Sequence, residues 1–302
     1  MAEEKTNKKQ PQKRDLNKWE DRVDLVRSIQ KPEELSKHLQ EHISELIKTS
    51  GVTHDVLFLY DPENEIREWT ADQIYNSLNK DEKKPVLLLV HSPGGAIEPA
   101  YFISKSCKEL SSKFIVTVPR KAKSAATLLS LGADEIHMGL MSQLGPIDPQ
   151  VRGLPALGVS NAIESMARLC QAYPNSAEMF ARYLALTLQP VMLGYFDRIS
   201  ESAMQYALRL LEDKHLPQSQ DGIPVWQKLV YEYKDHGFVI DKSEATKLLG
   251  DMVKIDTKEL KLSDQIYKFL EEIHLLIKIL HRQQLSLIGS LENGFSYFEI
   301  RN

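Results

Sequence analysis

Three short apolar runs, separated by helical patterns, constrain the fold of this chain more than any other feature. They cover Asp55–Tyr60, Pro85–Val90 and Phe114–Val118, and each has the length and the aliphatic content of a buried strand. Helical spacing lies between them, at Thr70–Leu78 and after Gly95. Strand, helix, strand, helix, strand is the order of a parallel sheet with right-handed crossovers, so the sequence predicts an α/β fold.

The remaining segments are predicted from the same patterns. Further elements are expected as helices at Trp19–Ile29, Pro32–Lys48, Ser124–Leu131 and Leu262–Leu291, and as short strands at Glu135–Met138 and Gly237–Ile240. The predicted division is a disordered tail at 1–14, N-terminal helices at 15–50, a core domain at 51–260 with a helical insertion at about 161–213, and a C-terminal helix at 261–302.

Composition and charge exclude several classes of protein. The net charge of -4 gives no basic footprint for nucleic acid, so no nucleic-acid partner is expected. No apolar run approaches the roughly 18 residues of a membrane span, and residues 1–14 lack the apolar region of a signal peptide. The two cysteines, Cys107 and Cys170, form neither a disulfide framework nor a metal pattern, which favours a reducing, cytoplasmic location.

Ser92-Pro93-Gly94-Gly95 follows the second predicted strand directly. Two glycines allow a sharp turn and let bare N–H groups approach a bound oxyanion. The same four residues also suit a simple turn from strand to helix. Taken alone, this segment leaves both interpretations open.

Ser124 begins a helix of small residues after the third strand. The start of a helix offers unpaired N–H groups and the positive end of its dipole, which suits a nucleophile, and Ala125 could donate its N–H to an oxyanion. Serine is also a common N-cap, so a purely structural role is the alternative.

Asp148 lies between two prolines in the loop Leu144–Gln150, just after the short strand at Glu135–Met138. The prolines restrict the loop and hold the carboxylate in place. An Asp before a proline is also a common turn residue, so this segment alone indicates no single function.

Taken together, these segments resemble the Clp-protease/crotonase superfamily. The resemblance is strongest to its peptidase branch of ClpP and signal peptide peptidase A, and within that branch to the serine dehydrogenase proteinase (SDH) group. It extends over about Asp55 to Val253. It implies a spiral of ββα units with an inserted helical arm.

Carried over residue by residue, the resemblance makes Ser124 the nucleophile and Gly94, Gly95 and Ala125 the oxyanion hole. Where ClpP has its catalytic His, this chain has Asp148. Signal peptide peptidase A uses a Lys, but no Lys lies between Ser124 and Lys214, which argues against a Ser-Lys dyad.

The general base must then come from elsewhere. His236 lies just before a segment that resembles the closing Glu-Ala helix of the superfamily, near where ClpP has its catalytic Asp. The prediction is a triad in altered order, with Ser124, Asp148 and His236, which is acceptable because a triad is defined by geometry. His137 is expected to be a core residue instead.

The resemblance implies hydrolysis of peptide bonds in a peptide or protein substrate through an acyl-enzyme, by a serine endopeptidase that forms homo-oligomers and uses no metal or cofactor. His38 and His42, one helical turn apart, are expected on a solvated face rather than at a metal. Two alternatives stay open: a crotonase-like acyl-CoA enzyme, and an inactive oligomeric scaffold of the same fold.

Overall fold

A seven-stranded sheet forms the centre of the computed structural model, which describes residues 14–151, 154–187, 190–218, 221–233 and 235–300. The strands are β1 Asp55–Tyr60, β2 Val86–His91, β3 Phe114–Val118, β4 Lys121–Ala122, β5 Glu135–Met138, β6 Gln143–Leu144, β7 Gln150–Val151, β8 Leu154–Pro155, β9 Ile240–Asp241, β10 Val253–Lys254, β11 Gln283–Gly289 and β12 Phe295–Glu299. The central sheet has the order β10-β5-β3-β2-β1-β11-β12.

Helices cover both faces of this sheet. They are α1 Trp19–Ser28, α2 Pro32–Ser50, α3 Glu68–Ser77, α4 Ile97–Leu110, α5 Ala125–Leu131, α6 Ala156–Ala172, α7 Ala177–Thr187, α8 Pro190–Leu211, α9 Val225–Gln227, α10 Lys242–Leu249 and α11 Lys258–His281. Neighbouring strands from β10 to β1 pair in parallel, while β11 and β12 pair antiparallel at one edge. The predicted α/β fold is therefore confirmed.

β2 and β3 are almost entirely apolar because both faces of the sheet are buried along these two strands. Leu88 and Val90 of β2 belong to a core shared with α4 and α5, whereas Leu87 and Leu89 belong to a second core shared with α2 and α11. The side chains alternate between the two cores because successive residues of a strand point to opposite faces. Replacing any one of them with Ala should cost about 2–5 kcal/mol.

A second, smaller sheet shows how the chain spirals. β3 of the central sheet is followed by β4, and β5 is followed by β6. The short strand β6 pairs with β4 on one side and with β9 on the other. After β2, Ser92 forms a parallel bridge with Ala122 in the same way. Each unit thus places one strand in the large sheet and one short segment beside it before its helix, which is the expected spiral of ββα units.

The helical insertion is present and longer than predicted. It consists of α6, α7 and α8 and begins at Ala156 rather than at about 161. The predicted first element of the chain, the disordered tail, lies outside the described residues except for Arg14.

The prediction of one continuous C-terminal helix is wrong. α11 ends at His281, Arg282 follows with a left-handed φ of 54°, and the chain then forms the hairpin of β11 and β12. The sequence pattern misled because the apolar residues of β11 continue the helical spacing of α11. The left-handed residue stops the helix, and pairing of β11 with β1 satisfies the backbone that follows.

One helix start also differs from its prediction. The helix predicted at Thr70–Leu78 is α3, which begins at Glu68 and ends at Ser77, and Thr70 accepts a hydrogen bond from the backbone N–H of Arg67. The division into domains at the predicted boundaries stays a prediction. Among the residues that the structure describes, no helix has both the length and the apolar character needed to cross a bilayer.

Candidate active site

Ser124 has an unusual backbone conformation at the point where β4 gives way to α5. Its φ of 51° and ψ of -119° lie in a region that residues other than glycine rarely adopt. Such a conformation costs on the order of 1–3 kcal/mol, and it persists only where the surroundings enforce it. Here Lys123 donates its N–H to Ser92 O at 3.2 Å on one side, and Leu128 donates to Ser124 O at 3.1 Å on the other.

Gly94 lies against this serine. A Cβ added to Gly94 would fall 2.8 Å from Ser124 Cβ, 2.6 Å from Lys123 O and 3.2 Å from Ala125 N. With a φ of 107°, Gly94 also adopts a conformation that favours glycine. The absence of a side chain therefore keeps a space open beside the serine and the first amide of α5.

The amides around this space differ in their partners. Gly94 donates its N–H to Ser92 Oγ at 3.1 Å, while its carbonyl accepts from Ile66 N at 2.8 Å. Since a trans peptide points its N–H away from its C=O, the Gly95 amide faces away from Ile66. Among the described residues, no hydrogen-bond acceptor takes the Gly95 or the Ala125 amide.

Thr127 of α5 fixes the Gly-Pro loop to the helix that begins at the serine. Its buried hydroxyl donates to Ala122 O at 2.7 Å and accepts from Gly145 N at 3.0 Å. The next fixed point is Ile147, whose N–H donates to Leu229 O at 2.9 Å. These bonds bring the loop that carries Asp148 alongside α5.

Asp148 is buried and has partners for both carboxylate oxygens. His236 Nδ1 lies 2.7 Å from Oδ1, and Gln150 Nε2 donates to Oδ2 at 3.0 Å. A carboxylate held on both oxygens presents one of them to the imidazole in a fixed direction. The structure thus brings Asp148 and His236 together, although 88 positions separate them in the sequence.

His236 lies in a tight turn that begins at Asp235. The Asp235 carbonyl accepts from Phe238 N at 3.0 Å, and its carboxylate accepts from Gly237 N at 3.0 Å. The hydrogen bond to Asp148 is the main cause that raises the pKa of His236 above its usual value of 6.5, and partial burial opposes it. The side chain is 31% exposed, so the ring faces an open region.

The third contact of a triad is not formed within the described residues, where Ser124 Oγ makes no hydrogen bond to His236. Catalytic hydrogen bonds are often long in a free enzyme and shorten when substrate binds. The geometry therefore contains the Asp-His half of the predicted triad and leaves its contact to the serine as a prediction.

The other candidate bases are engaged elsewhere. His137 is buried between Thr257 and Glu135, as expected for a core residue. Lys214 donates to the carbonyls of Gly132 and Ala133 beyond the far end of α5, so it does not reach Ser124 at the start of that helix.

Two more histidines belong to the C-terminal region. His274 Nδ1 lies 3.1 Å from Leu285 O, and His281 Nε2 lies 2.9 Å from Val26 O. Within the described ranges, no group of three or more His, Cys, Asp or Glu side chains is arranged to hold a metal ion.

Several residues of the site were not assigned from the sequence. Ser92, Thr127 and Gln150 hold the glycine turn, the Gly-Pro loop and the carboxylate, respectively. Each of them lies within three residues of a predicted site residue, which is a weak signal for a role in the site. Their partners lie in other segments or depend on the turn geometry, which local patterns do not reveal.

Residues 68–168 match the family profile of the ClpP-like SDH-type serine proteinases. This confirms the predicted resemblance. The match includes the glycine turn, Ser124, Ala125 and Asp148, and it ends before His236. Of the three predicted triad residues, His236 is therefore the one that the family match does not reach.

Two curated relatives come from Methanocaldococcus jannaschii. The uncharacterized protein MJ0137 is 41% identical over 95 residues, which cover 31% of this chain and 33% of that protein. The uncharacterized protein MJ1495 is 37% identical over 81 residues, which cover 27% of this chain and 28% of that protein. The chain thus spans about a third of the length of the curated relatives it matches.

Solved structures with a related fold share little sequence with this chain. A mutant of the 1510-N membrane-bound stomatin-specific protease has 12% identity and a TM-score of 0.41, with 83% of this chain and 98% of that chain covered. ClpP1 from Listeria monocytogenes has 13% identity and a TM-score of 0.40, with 72% and 98% covered. The site is therefore interpreted from its own geometry.

Proposed function

We propose that this chain is a serine endopeptidase that hydrolyses peptide bonds through an acyl-enzyme on Ser124. The observation that carries the proposal is a strained serine at the start of α5, beside two amides with no acceptor among the described residues. The loops of the Asp-His pair are hydrogen-bonded to Lys123, which directly precedes that serine. Strained backbone concentrates at functional sites, where the conformation presents a side chain that a relaxed helix start would not.

In the first step, Ser124 Oγ attacks the substrate carbonyl carbon while His236 Nε2 accepts the hydroxyl proton. Asp148 accepts from Nδ1 and holds the ring in the tautomer that leaves Nε2 free to act as a base. The imidazolium then returns the proton to the leaving amine, and water hydrolyses the acyl-enzyme by the same route.

The developing oxyanion needs two donors, and Gly95 and Ala125 supply them in this proposal. Their amides have no acceptor among the described residues, whereas the Gly94 amide already donates to Ser92 Oγ. Gly94 contributes the space instead, since a side chain there would meet Ser124. A single oxyanion donor is worth roughly 100- to 1000-fold in rate.

An oligomer is part of the proposal, because the helical insertion exposes large apolar side chains. They are Leu169, Tyr173, Met179, Tyr183, Leu186 and Tyr195. Several large exposed apolar side chains on one segment are typical of a protein interface. The cytoplasmic location stays a prediction from the two cysteines, of which Cys107 is buried with its pKa raised to about 12 by burial.

The deciding experiment is labelling of the purified protein with a fluorophosphonate, followed by peptide mapping of the adduct. Ser124 should be labelled, Ser124→Ala should not, and the exposed Ser112→Ala should label like the wild type. A labelled wild type that also cleaves a generic peptide supports the peptidase. Absence of both reactions in a folded protein would contradict it.

An inactive scaffold of the same fold is the second candidate function. The observation in its favour is the missing hydrogen bond between Ser124 and His236 within the described residues. A scaffold should assemble normally and leave Ser124 unlabelled. Labelling therefore separates the two candidates.

A further inference from the structure

Lys123, which directly precedes the proposed nucleophile, has a side chain that joins three segments of the site. Its Nζ donates to Leu144 O at 3.2 Å and to Phe238 O at 2.9 Å. Leu144 begins the loop that carries Asp148, and Phe238 follows His236 by two residues. One ammonium group therefore connects residues 123–124, called the nucleophile turn below, with both loops that hold the Asp-His pair.

The path of this side chain depends on Gly145. A Cβ added at Gly145 would fall 2.6 Å from Lys123 Cδ and 3.5 Å from Lys123 Cα. The backbone of Gly145 lies outside the left-handed region, so its own conformation does not call for glycine. The missing side chain instead leaves the channel through which Lys123 reaches the Phe238 carbonyl.

The turn that carries His236 has few other attachments to the nucleophile. It joins the small sheet through β9, which has two residues and pairs with β6 rather than with the strand before Ser124. Its other link is the hydrogen bond from His236 to Asp148. Within the described ranges, Lys123 supplies the direct hydrogen bond between the nucleophile turn and the 235–238 turn.

Lys123 also changes the pKa of His236 through its charge. Three charged groups act on His236: Asp148 and Asp235 raise its pKa, and Lys123 lowers it. Burial lowers the pKa of Lys123, while Asp235 opposes that effect. The lysine therefore offsets part of the effect of the two carboxylates, which keeps the imidazole from retaining its proton to a still higher pH.

We propose that Lys123 is a positioning residue. It holds the 235–238 turn, which carries His236, against the nucleophile turn and so sets the distance between the imidazole and Ser124. The catalytic part of this inference rests on the proposed peptidase function. The structural part, that Lys123 holds the two turns together, can be tested without any substrate.

The first test compares Lys123→Met with Lys121→Met. Methionine keeps most of the side-chain length but donates no hydrogen bond, and misplacement of a catalytic group costs about 100-fold in rate. We expect kcat/KM of Lys123→Met to fall by about that factor, mainly through kcat. Lys121 donates to Pro62 O instead, so Lys121→Met should keep the wild-type rate and pH profile.

The pH profile separates positioning from simple loss of stability. Without the cation, the pKa of His236 should rise, so the acidic limb of the rate profile should move to higher pH. Lys123→Arg keeps the charge and should return the limb to its wild-type position with part of the rate. An unmoved limb in Lys123→Met would overturn the electrostatic part of the proposal.

A second variant, Gly145→Ala, tests the hydrogen bond between Lys123 and the Phe238 carbonyl without changing Lys123. Gly145→Ala leaves Lys123 in place but blocks its channel, so it should reproduce the loss seen in Lys123→Met. Because both changes break one contact, the double variant Lys123→Ala, Gly145→Ala should lose little more than Lys123→Ala alone or Gly145→Ala alone. Additive losses would show that the two residues act independently.

The final readout uses no substrate. Nuclear magnetic resonance of the wild type and Lys123→Met should show a raised His236 pKa and amide exchange at 237–239 that is at least about tenfold faster. If neither the His236 pKa nor the amide exchange changes, the positioning role of Lys123 is overturned. If both change in a protein that is never labelled at Ser124, Lys123 does hold the two turns together and the peptidase proposal fails.

Discussion

The Nδ1 atom of His236 lies 2.7 Å from the Oδ1 atom of Asp148, a buried carboxylate that Gln150 holds from its other oxygen. The two residues come from loops on either side of the helical insertion, so the contact forms only in the folded chain. The Asp comes before the insertion in the chain and the His comes after it. Four predictions follow from the site and its surroundings.

Replacing Ser124 with Ala should abolish peptide hydrolysis and leave the fold intact. Alanine has the same Cβ and therefore the same backbone strain, so the free energy of unfolding should stay within about 0.5 kcal/mol of the wild type. Ser124→Gly removes the Cβ at a φ of 51° and should be more stable than Ser124→Ala by roughly 1 kcal/mol. Denaturant titration and a peptide assay on both variants check this.

Retention of most of the activity in clean Ser124→Ala would reject Ser124 as the nucleophile. A glycine variant less stable than the alanine variant would contradict the predicted backbone strain at position 124.

The rate should depend on the ionisation of His236. Asp148 raises the pKa of His236 above its usual value of 6.5. The neutral imidazole, which is the base, is therefore lost as the pH drops through this raised pKa, and kcat/KM should fall with it. Asp148→Asn removes the main cause of the shift, so the acidic limb should move to lower pH. The maximal rate should also fall by about 10⁴-fold, because the asparagine favours the wrong tautomer.

Rate measurements from pH 5 to 9 on the wild type, Asp148→Asn and His236→Ala would check this. A profile in which His236→Ala keeps the acidic limb would assign that limb to another group.

Substitution of Gly94 with Ala should reduce both activity and stability. The new Cβ would lie 2.8 Å from Ser124 Cβ and 2.6 Å from Lys123 O, so the nucleophile turn would have to shift. We expect kcat/KM to fall by at least about 100-fold. Gly51→Ala is the matched control, because Gly51 has a φ of 71° but no atom within 4 Å of the added Cβ.

The control should lose stability of about 1 kcal/mol from the backbone alone and keep full activity. Equal losses of activity in the two variants would mean that Gly94 acts through the backbone rather than through the space beside Ser124.

Removal of the Thr127 hydroxyl should loosen the Gly-Pro loop. Thr127→Val keeps the shape but leaves the Gly145 amide and the Ala122 carbonyl without a partner in the core, at a cost of about 1–3 kcal/mol. Thr127→Ser keeps both hydrogen bonds and should retain most of the activity. Thermal unfolding and the peptide assay measure the two effects, and a valine variant as active as the serine variant would contradict the role of this hydroxyl.

The fold was largely predictable because its strands are continuous apolar runs. β1 and β3 begin and end where their sequences predict, because a strand with two buried faces is a nearly continuous apolar run. The short β5 also matches its predicted range, although it contains Glu135 and His137. β11 was missed for the opposite reason. Its apolar residues continue the pattern of α11, and only pairing with β1 distinguishes a strand from more helix.

In the candidate site too, some features could be predicted from local sequence and others depend on contacts between distant segments. Ser92-Pro93-Gly94-Gly95 and Ser124 were predictable because each combines residue types with a local geometry: a glycine turn after a strand and a serine at a helix start. Lys123 was not singled out because its function depends on where the Phe238 carbonyl lies, 115 residues further along the chain.

The sequence by itself determined the α/β architecture, the glycine turn and the serine that opens α5, because these depend on residues close together in the chain. Only the tertiary structure decided that the Gly95 and Ala125 amides have no acceptor among the described residues, that Asp148 faces His236, and that Lys123 bridges the two loops. The physical reason is that hydrogen bonds across the sheet layers have no periodicity along the chain. They exist only once packing has placed distant carbonyls and carboxylates within about 3 Å of their donors.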